Sequence, residues 1–291
     1  MSNSLEELMA GLQILGCDTP MDESDVVIFG APFDSTTSFR PGTRFASQAM
    51  RRDSAYLELY SPYQDKNLEN CRVHDAGDLV LPFGNAADTL SIIEEATTTI
   101  IEEGRMPVML GGEHLVTLGT IRALAKRYPD LHIIHFDAHT DLRETFFGEA
   151  LSHATVIRKC WDLLGDDRIH SFGIRSGIKE EFVWAKDHME LRPFDLEGVA
   201  DMPAKLKGAP VYLTLDLDVL DPAAMPGTGT PEPGGVTFKE LLAALHSLEG
   251  LNIVGFDINE LNPLVDDSGV STAAACKLLR ELLLLFAPQH P

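Results

Sequence analysis

Short apolar runs alternate with helical stretches along most of this chain. Six runs predict strands, and several are apolar without interruption, as expected for strands that are covered on both faces. The predicted strands are "VVIFGA" (26–31), "MPVML" (106–110), "LHIIHFD" (131–137), "IHSFGI" (169–174), "VYLTLDLD" (211–218) and "LNIVGFDI" (251–258). The predicted helices lie at roughly 88–104, 116–127, 178–188, 237–249 and 271–286. This alternation predicts an α/β fold, with a mostly parallel sheet between two layers of helices.

The pattern also predicts a single domain over residues 1–291, because no repeat, low-complexity tract or polar linker divides the chain. Residues 1–24 form an N-terminal segment, and residues 32–70 have weak periodicity, which predicts extended surface loops and a short helix. No window of about 18 apolar residues predicts a membrane span. The N-terminus also lacks the basic region of a secretory signal.

Charge and cysteine content narrow the classes of partner and compartment. The chain has 45 acidic and 23 basic residues, a formal net charge of -22 that argues against binding nucleic acid and would attract cations. The net charge is equally well explained if the acidic residues only keep the protein soluble. Four cysteines (Cys17, Cys71, Cys160 and Cys276) lie far apart and form no CxxC pair. They predict reduced, mostly buried thiols in a cytoplasmic protein.

Residues that can hold charge or bind metal follow four of the predicted strands. They are His114 in "GGEH", Asp137, His139 and Asp141 in "HFDAHTDLR", Asp216 and Asp218 in "LTLDLD", and Asp257 and Glu260 in "FDINELNP". In parallel α/β sheets, ligands bind outside the carboxyl ends of the strands, so these side chains are expected to meet at one edge. Carboxylates gathered there repel one another unless cations or protons neutralise them. We therefore predict a metal site.

The types of ligand indicate which metal. Two imidazoles and four carboxylates with no thiolate disfavour a structural zinc site and suit Mn²⁺ or a similar ion, and Co²⁺ or Ni²⁺ can share such ligands. Four aspartate charges would balance two divalent ions. Paired ions roughly 3.5–4 Å apart lower the pKa of a water between them, which generates a nucleophile near neutral pH. Each motif alone is also compatible with an ordinary turn or helix cap.

Taken in order, these motifs resemble those of the ureohydrolases, the family of arginase, agmatinase and their relatives. "GGEH", "HFDAHTDLR", "SHAT", "LTLDLDVLDPAAMPGTGTPEPGG" and "FDINELNP" carry the resemblance, which extends from about residue 25 to 286. Within the family, "PGTGTPEPGG" and "LPFGN" are nearest to the agmatinase pattern. The resemblance implies an arginase-type, three-layer α/β/α fold with a mainly parallel, eight-stranded sheet. It also implies assembly as a homotrimer or homohexamer.

The resemblance further implies a metal-ligand set for two Mn²⁺ ions per subunit. The more buried ion would be held by His114, Asp137, Asp141 and Asp216. The second ion would be held by Asp137, His139, Asp216 and Asp218. Two of these aspartates, Asp137 and Asp216, would then bridge the pair.

Catalytic and substrate-binding roles follow from the same resemblance. Asp141 would accept a proton from the attacking hydroxyl group, and His153, in "SHAT", would relay protons at the mouth of the site and contact the substrate. Glu260 would receive the substrate guanidinium. Arg143 stands where arginases have an asparagine that binds the amino-acid head group, which argues against arginine as substrate. It could instead bind a substrate carboxylate.

The expected activity is hydrolysis of agmatine to putrescine and urea, a step of polyamine biosynthesis. The alternatives within the family are guanidinobutyrate, arginine or free guanidine as substrate, or formiminoglutamate, which would release formamide. The sequence "NELNP" is nearer to the corresponding motif of arginases than to that of many agmatinases. Outside this activity, a non-catalytic metal-binding protein and a deacetylase with one zinc ion on the same fold remain open. The expected partner is a small cationic guanidino compound, with neither nucleic acid nor membrane.

Overall fold

One large parallel sheet organises the computed structural model, which describes residues 12–290. Residues 1–11, part of the predicted N-terminal segment 1–24, lie outside the described residues. The strands are β1 Val26–Gly30, β2 Tyr60–Ser61, β3 Lys66–Asn67, β4 Val73–Asp78, β5 Met106–Leu110, β6 His132–Phe136, β7 Ile169–Ile174, β8 Glu190–Pro193, β9 Pro210–Asp216 and β10 Asn252–Asn259. Eight of them form the sheet in the order β4-β1-β5-β10-β9-β6-β7-β8, and every neighbouring pair is parallel. Strands β2 and β3 form a separate antiparallel pair.

Helices cover both faces of the sheet. They are α1 Ala46–Ser54, α2 Ala86–Glu102, α3 Thr117–Arg127, α4 Val156–Leu164, α5 Lys179–His188, α6 Met202–Lys205, α7 Phe238–His246 and α8 Val270–Phe286. Alternate residues of β1 show why two layers of helices form. Val26 and Ile28 belong to one apolar cluster, which also contains residues of α1, α6, α7 and α8. Val27 and Phe29 belong to the other cluster, which contains residues of α2 to α5. Side chains on a strand point alternately to its two faces, so a fully apolar strand requires cover on both. The predicted three-layer α/β/α architecture is confirmed.

The elements that the sequence pattern missed lie mostly at the edges. Strands β4 ("VHDAGD") and β8 ("ELRP") are the two outer strands of the sheet, and their partial exposure leaves too few apolar residues for a strand pattern. Helices α4 and α6 were also missed. In 32–70 the structure contains α1 as the predicted short helix, together with the small β2–β3 pair.

The order of the strands positions the site. The chain leaves β5, passes through α3 and enters β6, which lies beyond β10 and β9 in the sheet. Such a reversal of strand order opens a crevice at the carboxyl ends of the strands. The four central strands β5, β10, β9 and β6 are the ones that precede the predicted site residues.

Two further predictions can be compared with the structure. All four cysteines are free and buried, as expected. No helix within residues 12–290 is long and apolar enough to cross a membrane.

Candidate active site

The imidazole of His114 points into a ring of carboxylates. Its Nδ1 atom lies 3.0 Å from Asp137 Oδ2, 3.2 Å from Asp141 Oδ2 and 3.4 Å from Asp216 Oδ2. Neighbouring ligands about 2.1 Å from an octahedral ion lie about 3 Å from each other, so the three distances from Nδ1 are compatible with a shared ion.

A second group of ligand atoms lies beside the first. His139 Nδ1 is 3.0 Å from Asp218 Oδ2 and 3.4 Å from Asp137 Oδ1. Asp137 Oδ1 therefore faces His139, whereas its Oδ2 faces both His114 and the buried His135, whose Nε2 is 2.9 Å away. The structure thus brings together all six residues that were predicted as metal ligands.

The local backbone explains how β9 presents two aspartates at once. The strand ends at Asp216, earlier than predicted, because Leu217–Val219 form a 3-10 turn. Asp216 Oδ1 caps this turn by accepting a hydrogen bond of 2.8 Å from the Asp218 amide. Both carboxylates consequently face the same side.

The Oδ2 atom of Asp218 indicates whether these residues fit a metal ion. Asp218 is 2% exposed, its Oδ1 accepts a hydrogen bond from the Ala138 amide at 3.0 Å, and its Oδ2 is buried without a hydrogen-bond partner among the described residues. Oδ2 lies 3.0 Å from His139 Nδ1 without the alignment of a hydrogen bond. A buried carboxylate oxygen left unpaired is costly, and both atoms are accounted for if they point at a common cation.

The protonation equilibria reflect the same crowding. Burial raises the pKa of Asp216 well above its usual value, and burial followed by the charge of Asp137 raises the pKa of Asp141 to about 7. Burial opposes the charged form of His114, but the carboxylates of Asp137 and Asp141 raise the pKa of this imidazole well above its usual range. Without cations, this cluster must therefore take up protons, which divalent ions would replace.

Asp141 and Glu260 have unusual backbone conformations. Their φ angles are +51° and +63°, in the left-handed region that side chains other than glycine rarely adopt. The Asp141 carbonyl accepts hydrogen bonds from the amides of Ile157 and Arg158 at the start of α4, which holds this strained turn. Residues held in such conformations cluster at functional sites.

A cavity of about 240 Å³ adjoins this group of side chains, and Asp141 and Asp216 are the ring carboxylates that line it. Its lining also includes Ser38, Phe146 and Glu181, and the predicted site residues among it number seven: His114, His139, Asp141, Arg143, His153, Asp216 and Glu260. The Oε1 atom of Glu260 accepts a hydrogen bond of 2.8 Å from the His114 amide. Burial, followed by the charge of Glu113, raises the pKa of Glu260 well above its usual value. A cation bound beside this carboxylate would favour its ionised form.

His153 lies on the cavity wall. Its Nε2 is 3.2 Å from Ser38 Oγ, and its amide donates to Thr36 Oγ1 at 3.1 Å. Thr36 in turn donates its amide to the fully buried carboxylate of Glu113 at 2.8 Å. This chain of contacts attaches the loop from region 32–70 to the site. Burial lowers the pKa of His153 to about 4, so its imidazole is neutral at pH 7.

Arg143 presents a positive charge to the same cavity. Its guanidinium stacks over the ring of Phe146, with its carbon 5.1 Å from the ring centre. Within the described part of the chain it makes no ion pair, and the adjacent Glu144 pairs instead with Arg158 at 3.1 Å. Arg143 is thus available to an anionic group.

Sequence patterns missed Glu181, which belongs to a fifth strand end. The chain leaves β7, lines the cavity with Ser176 to Ile178, and places Glu181 in the first turn of α5. Glu181 is 5% exposed, and its Oε2 accepts a hydrogen bond of 2.7 Å from the Ile178 amide. A signal existed, because a glutamate three residues after a helix-capping position commonly folds back in this way.

Two aspartates near the motifs stand apart from the cluster. Asp257 was expected at the same edge, but it points away, into a fully buried group behind His114. Asp221 accepts hydrogen bonds from the amides of Ala223, Gly234 and Gly235 at 2.8–3.1 Å. It therefore stabilises a turn.

Comparison with known proteins identifies the family. A model of the arginase family matches residues 24–285. The chain belongs to the arginase family. An agmatinase from Bacillus anthracis is 50% identical over 283 residues, which cover 96% of this chain and 98% of that protein. A guanidinobutyrase from Pseudomonas aeruginosa is 33% identical and covers 90% of this chain and 86% of its own length.

The fold is shared with solved structures of this family. The crystal structure of agmatine ureohydrolase from Thermoplasma volcanium has a TM-score of 0.88 at 33% identity and covers 96% of both chains. The resemblance to ureohydrolases, the arginase-type fold and the class of enzyme are thereby confirmed. This arginase-family protein is a hydrolase that acts on guanidino compounds, and its His and Asp groups fit the metal dependence of the family.

Proposed function

We propose that this protein is an agmatinase that binds two Mn²⁺ ions per subunit and hydrolyses agmatine to putrescine and urea. One observation carries the proposal. The four central strand ends set the Nδ1 atoms of two histidines 3.0–3.4 Å from aspartate oxygens, beside a cavity that Glu260 also lines.

The proposed ligands follow the two groups of atoms. His114, Asp137, Asp141 and Asp216 would hold one ion, and Asp137, His139, Asp216 and Asp218 the other. Asp137 would belong to both groups, because its Oδ2 lies 3.0 Å from His114 Nδ1 and its Oδ1 lies 3.4 Å from His139 Nδ1. Oxygen and imidazole ligands suit Mn²⁺, and Co²⁺ or Ni²⁺ could occupy the same positions.

Bound divalent ions would lower the pKa of water and so supply a nucleophile near neutral pH. Glu260 would hold the substrate guanidinium in place, because residues 12–290 pair no cation with its buried carboxylate and the His114 amide anchors it. Asp141 accepts the proton released as the oxygen attacks the guanidinium carbon. The bond from that carbon to the alkyl nitrogen then breaks. His153 relays the proton to the departing amine, which leaves urea behind.

Two observations favour agmatine over the other guanidino compounds. Agmatine has an ammonium group at the end opposite its guanidinium, and the Glu181 carboxylate is a buried anion on the cavity wall that could bind it. The Bacillus anthracis agmatinase is also much more similar to this chain than the guanidinobutyrase is, at 50% against 33% identity.

Guanidinobutyrate is the second candidate, and Arg143 is the observation that favours it. This guanidinium lines the cavity and has no ion-pair partner among residues 12–290, so it would attract a substrate carboxylate. Arginine, free guanidine and formiminoglutamate lack comparable support.

A substrate panel tests the proposal. Protein loaded with Mn²⁺, Co²⁺ or Ni²⁺ would be assayed for urea from agmatine, guanidinobutyrate, arginine and guanidine, and for formamide from formiminoglutamate. We expect the highest kcat/KM for agmatine with Mn²⁺, and two bound ions per chain. Absence of urea from agmatine with every metal would overturn the substrate assignment. A single bound zinc ion would favour the deacetylase alternative, and two ions without turnover would favour a non-catalytic protein.

Two matched variants separate the substrate candidates. Glu181→Gln keeps the size of the side chain and removes its charge, so the KM for agmatine should rise about tenfold, the value of one charge-assisted hydrogen bond. Arg143→Gln should leave agmatine hydrolysis intact and weaken any activity on guanidinobutyrate. The opposite pattern would make the carboxylate compound the substrate.

The assembly and compartment are also proposals. Val80, Phe83 and Phe147 are 92%, 98% and 89% exposed, and large exposed apolar side chains commonly mark subunit contacts. We expect a homotrimer or homohexamer, so light scattering should give three or six times the mass of one chain. A monomer would contradict this. Free buried cysteines favour the cytoplasm, and the strongly acidic composition argues against nucleic acid as a partner.

A further inference from the structure

A buried polar group lies behind His114, on the side of its ring that faces away from the carboxylates. We name it the Asp257 cluster. Its members are Thr117 at the start of α3, Tyr212 and Thr214 on β9, and Asp257 and Asn259 on β10. All five are fully buried, with 0% exposure. Elements that adjoin the site thus share a polar interior, although a parallel sheet normally has apolar residues at such positions.

Asp257 is the acceptor at the centre of this cluster. Its Oδ2 accepts hydrogen bonds of 2.7 Å from the hydroxyls of Thr117 and Tyr212, and its Oδ1 accepts one of 2.7 Å from Asn259 Nδ2. Burial raises the pKa of Asp257 above its usual value, and the three donors oppose this shift because they favour the ionised form, which can only accept hydrogen bonds. The described residues place no guanidinium or ammonium group against it.

An acceptor at one end gives the chain of hydrogen bonds a direction. A hydroxyl has a single proton, and that of Thr117 goes to Asp257. The Thr117 oxygen can therefore only accept, and it lies 3.0 Å from Asn259 Nδ2 and 3.4 Å from Thr214 Oγ1, so Thr214 is the donor in any hydrogen bond between the two threonines. The Thr214 oxygen is then left to accept from His114 Nε2, 2.9 Å away.

We propose that the Asp257 cluster holds His114 in the tautomer that has its proton on Nε2 and its lone pair on Nδ1. Nδ1 is the atom that faces Asp137, Asp141 and Asp216. Thr214 and Asp257 are thus positioning residues for the ion at His114, and they act through the imidazole without touching ion or substrate. The inference rests on the proposed function, because that function assigns His114 to a metal ion.

The arrangement also determines the size of the effect. A metal-binding histidine usually donates its second N–H to a nearby acceptor, which fixes the ring and strengthens the ligand, and loss of the acceptor typically costs 10–100-fold in metal affinity. Here a hydroxyl stands between the imidazole and the carboxylate. Thr214→Val keeps the shape of the side chain and removes its hydroxyl. Asp257→Asn replaces one acceptor oxygen with a donor, which disturbs the direction of the chain.

The test is a Co²⁺ titration followed by visible absorption, which counts the bound ions and gives an affinity for each, between pH 6 and 9. We expect Thr214→Val and Asp257→Asn to weaken one ion by about 10–100-fold and leave the other unchanged. Thr214→Ser, which keeps the hydroxyl, should restore the affinity. Thr89→Val is the matched control, because Thr89 is a buried threonine on α2 whose hydroxyl has no partner among the described residues.

The outcomes separate this inference from the proposed function. Circular dichroism in the presence of a chelator would verify that each variant folds, and Thr214→Ala replaces Thr214→Val if the latter does not. If His114→Ala binds the same number of ions as the wild type, the metal assignment of the proposed function fails. If His114→Ala loses an ion but Thr214→Val and Asp257→Asn bind both ions as tightly as the wild type, the tautomer inference alone is wrong. A pure packing role is indicated if Thr214→Ser weakens binding as much as Thr214→Val.

Discussion

Replacement of Asp218 by asparagine should change the stability of this protein in opposite directions with and without metal. The Asp218 carboxylate is buried among three others, and its Oδ2 has no hydrogen-bond partner in the described chain. An asparagine can keep the bond from the Ala138 amide through its oxygen. Its amide nitrogen would then replace Oδ2 and remove a ligand and a negative charge.

The expected magnitudes follow from charge and mass action. Without metal, Asp218→Asn removes one of four mutually repelling carboxylates, so the variant should be at least as stable as the wild type. With Mn²⁺ at about 100 times its dissociation constant, each bound ion adds about 2.7 kcal/mol to the free energy of unfolding. A variant that loses one ion should therefore fall behind the wild type by about 3 kcal/mol. That corresponds to a Tm about 6 °C lower, at roughly 2 °C per kcal/mol for a chain of this size.

Thermal unfolding in chelator and in Mn²⁺ measures this reversal. Asp221→Asn is the matched control, because Asp221 lies in the same loop but accepts backbone hydrogen bonds from Ala223, Gly234 and Gly235. It should lower the Tm by the same amount in both conditions. The reasoning is refuted if Asp218→Asn and the wild type gain equal stability from Mn²⁺.

Two further predictions concern catalysis and pH. Glu260→Gln keeps an acceptor for the His114 amide but loses the charge that would bind the guanidinium, so urea release should fall on the order of 100-fold or more while two ions stay bound; loss of an ion would instead make Glu260 a ligand. His132 is half-buried at the start of β6, and burial followed by the charge of His170 lowers its pKa to about 4. The unfolded chain, with a histidine pKa of about 6.5, binds more protons between pH 6.5 and 4, so stability should be lost as the pH falls through that range. His132→Gln should recover about 1–2 kcal/mol of that loss after allowance for solvent screening, and an unchanged slope of Tm against pH would contradict the assignment.

Much of the fold was accessible from local patterns. Six strands of the sheet and five helices were located, because strands buried on both faces are continuously apolar and helices repeat with a period of 3.6 residues. The outer strands β4 and β8 escaped detection, since partial exposure mixes polar and apolar residues. The count of eight strands came from the family resemblance alone.

The sequence predicted which types of side chain gather at the site, but it did not identify every residue that lines the cavity. The six predicted ligand residues follow strand ends and lie together in the structure, whereas Glu181 escaped because nothing in a helical stretch indicates which turn faces a cavity. Asp257 was expected at the cluster and instead lies behind His114. Successive side chains of a strand point to opposite faces, and where the strand stops decides which residue reaches the edge.

The sequence by itself determined the kinds of group available: acidic and imidazole side chains directly after buried strands, in the order typical of the arginase family. Only the tertiary structure decided that β5, β10, β9 and β6 are neighbours, which brings the side chains of four separate loops together at one edge of the sheet. Strand order depends on how helices pack across the sheet, and local sequence does not encode it. The tertiary structure also decided which polar residues face the cavity and which support it from behind, because that depends on contacts between strands distant in the chain.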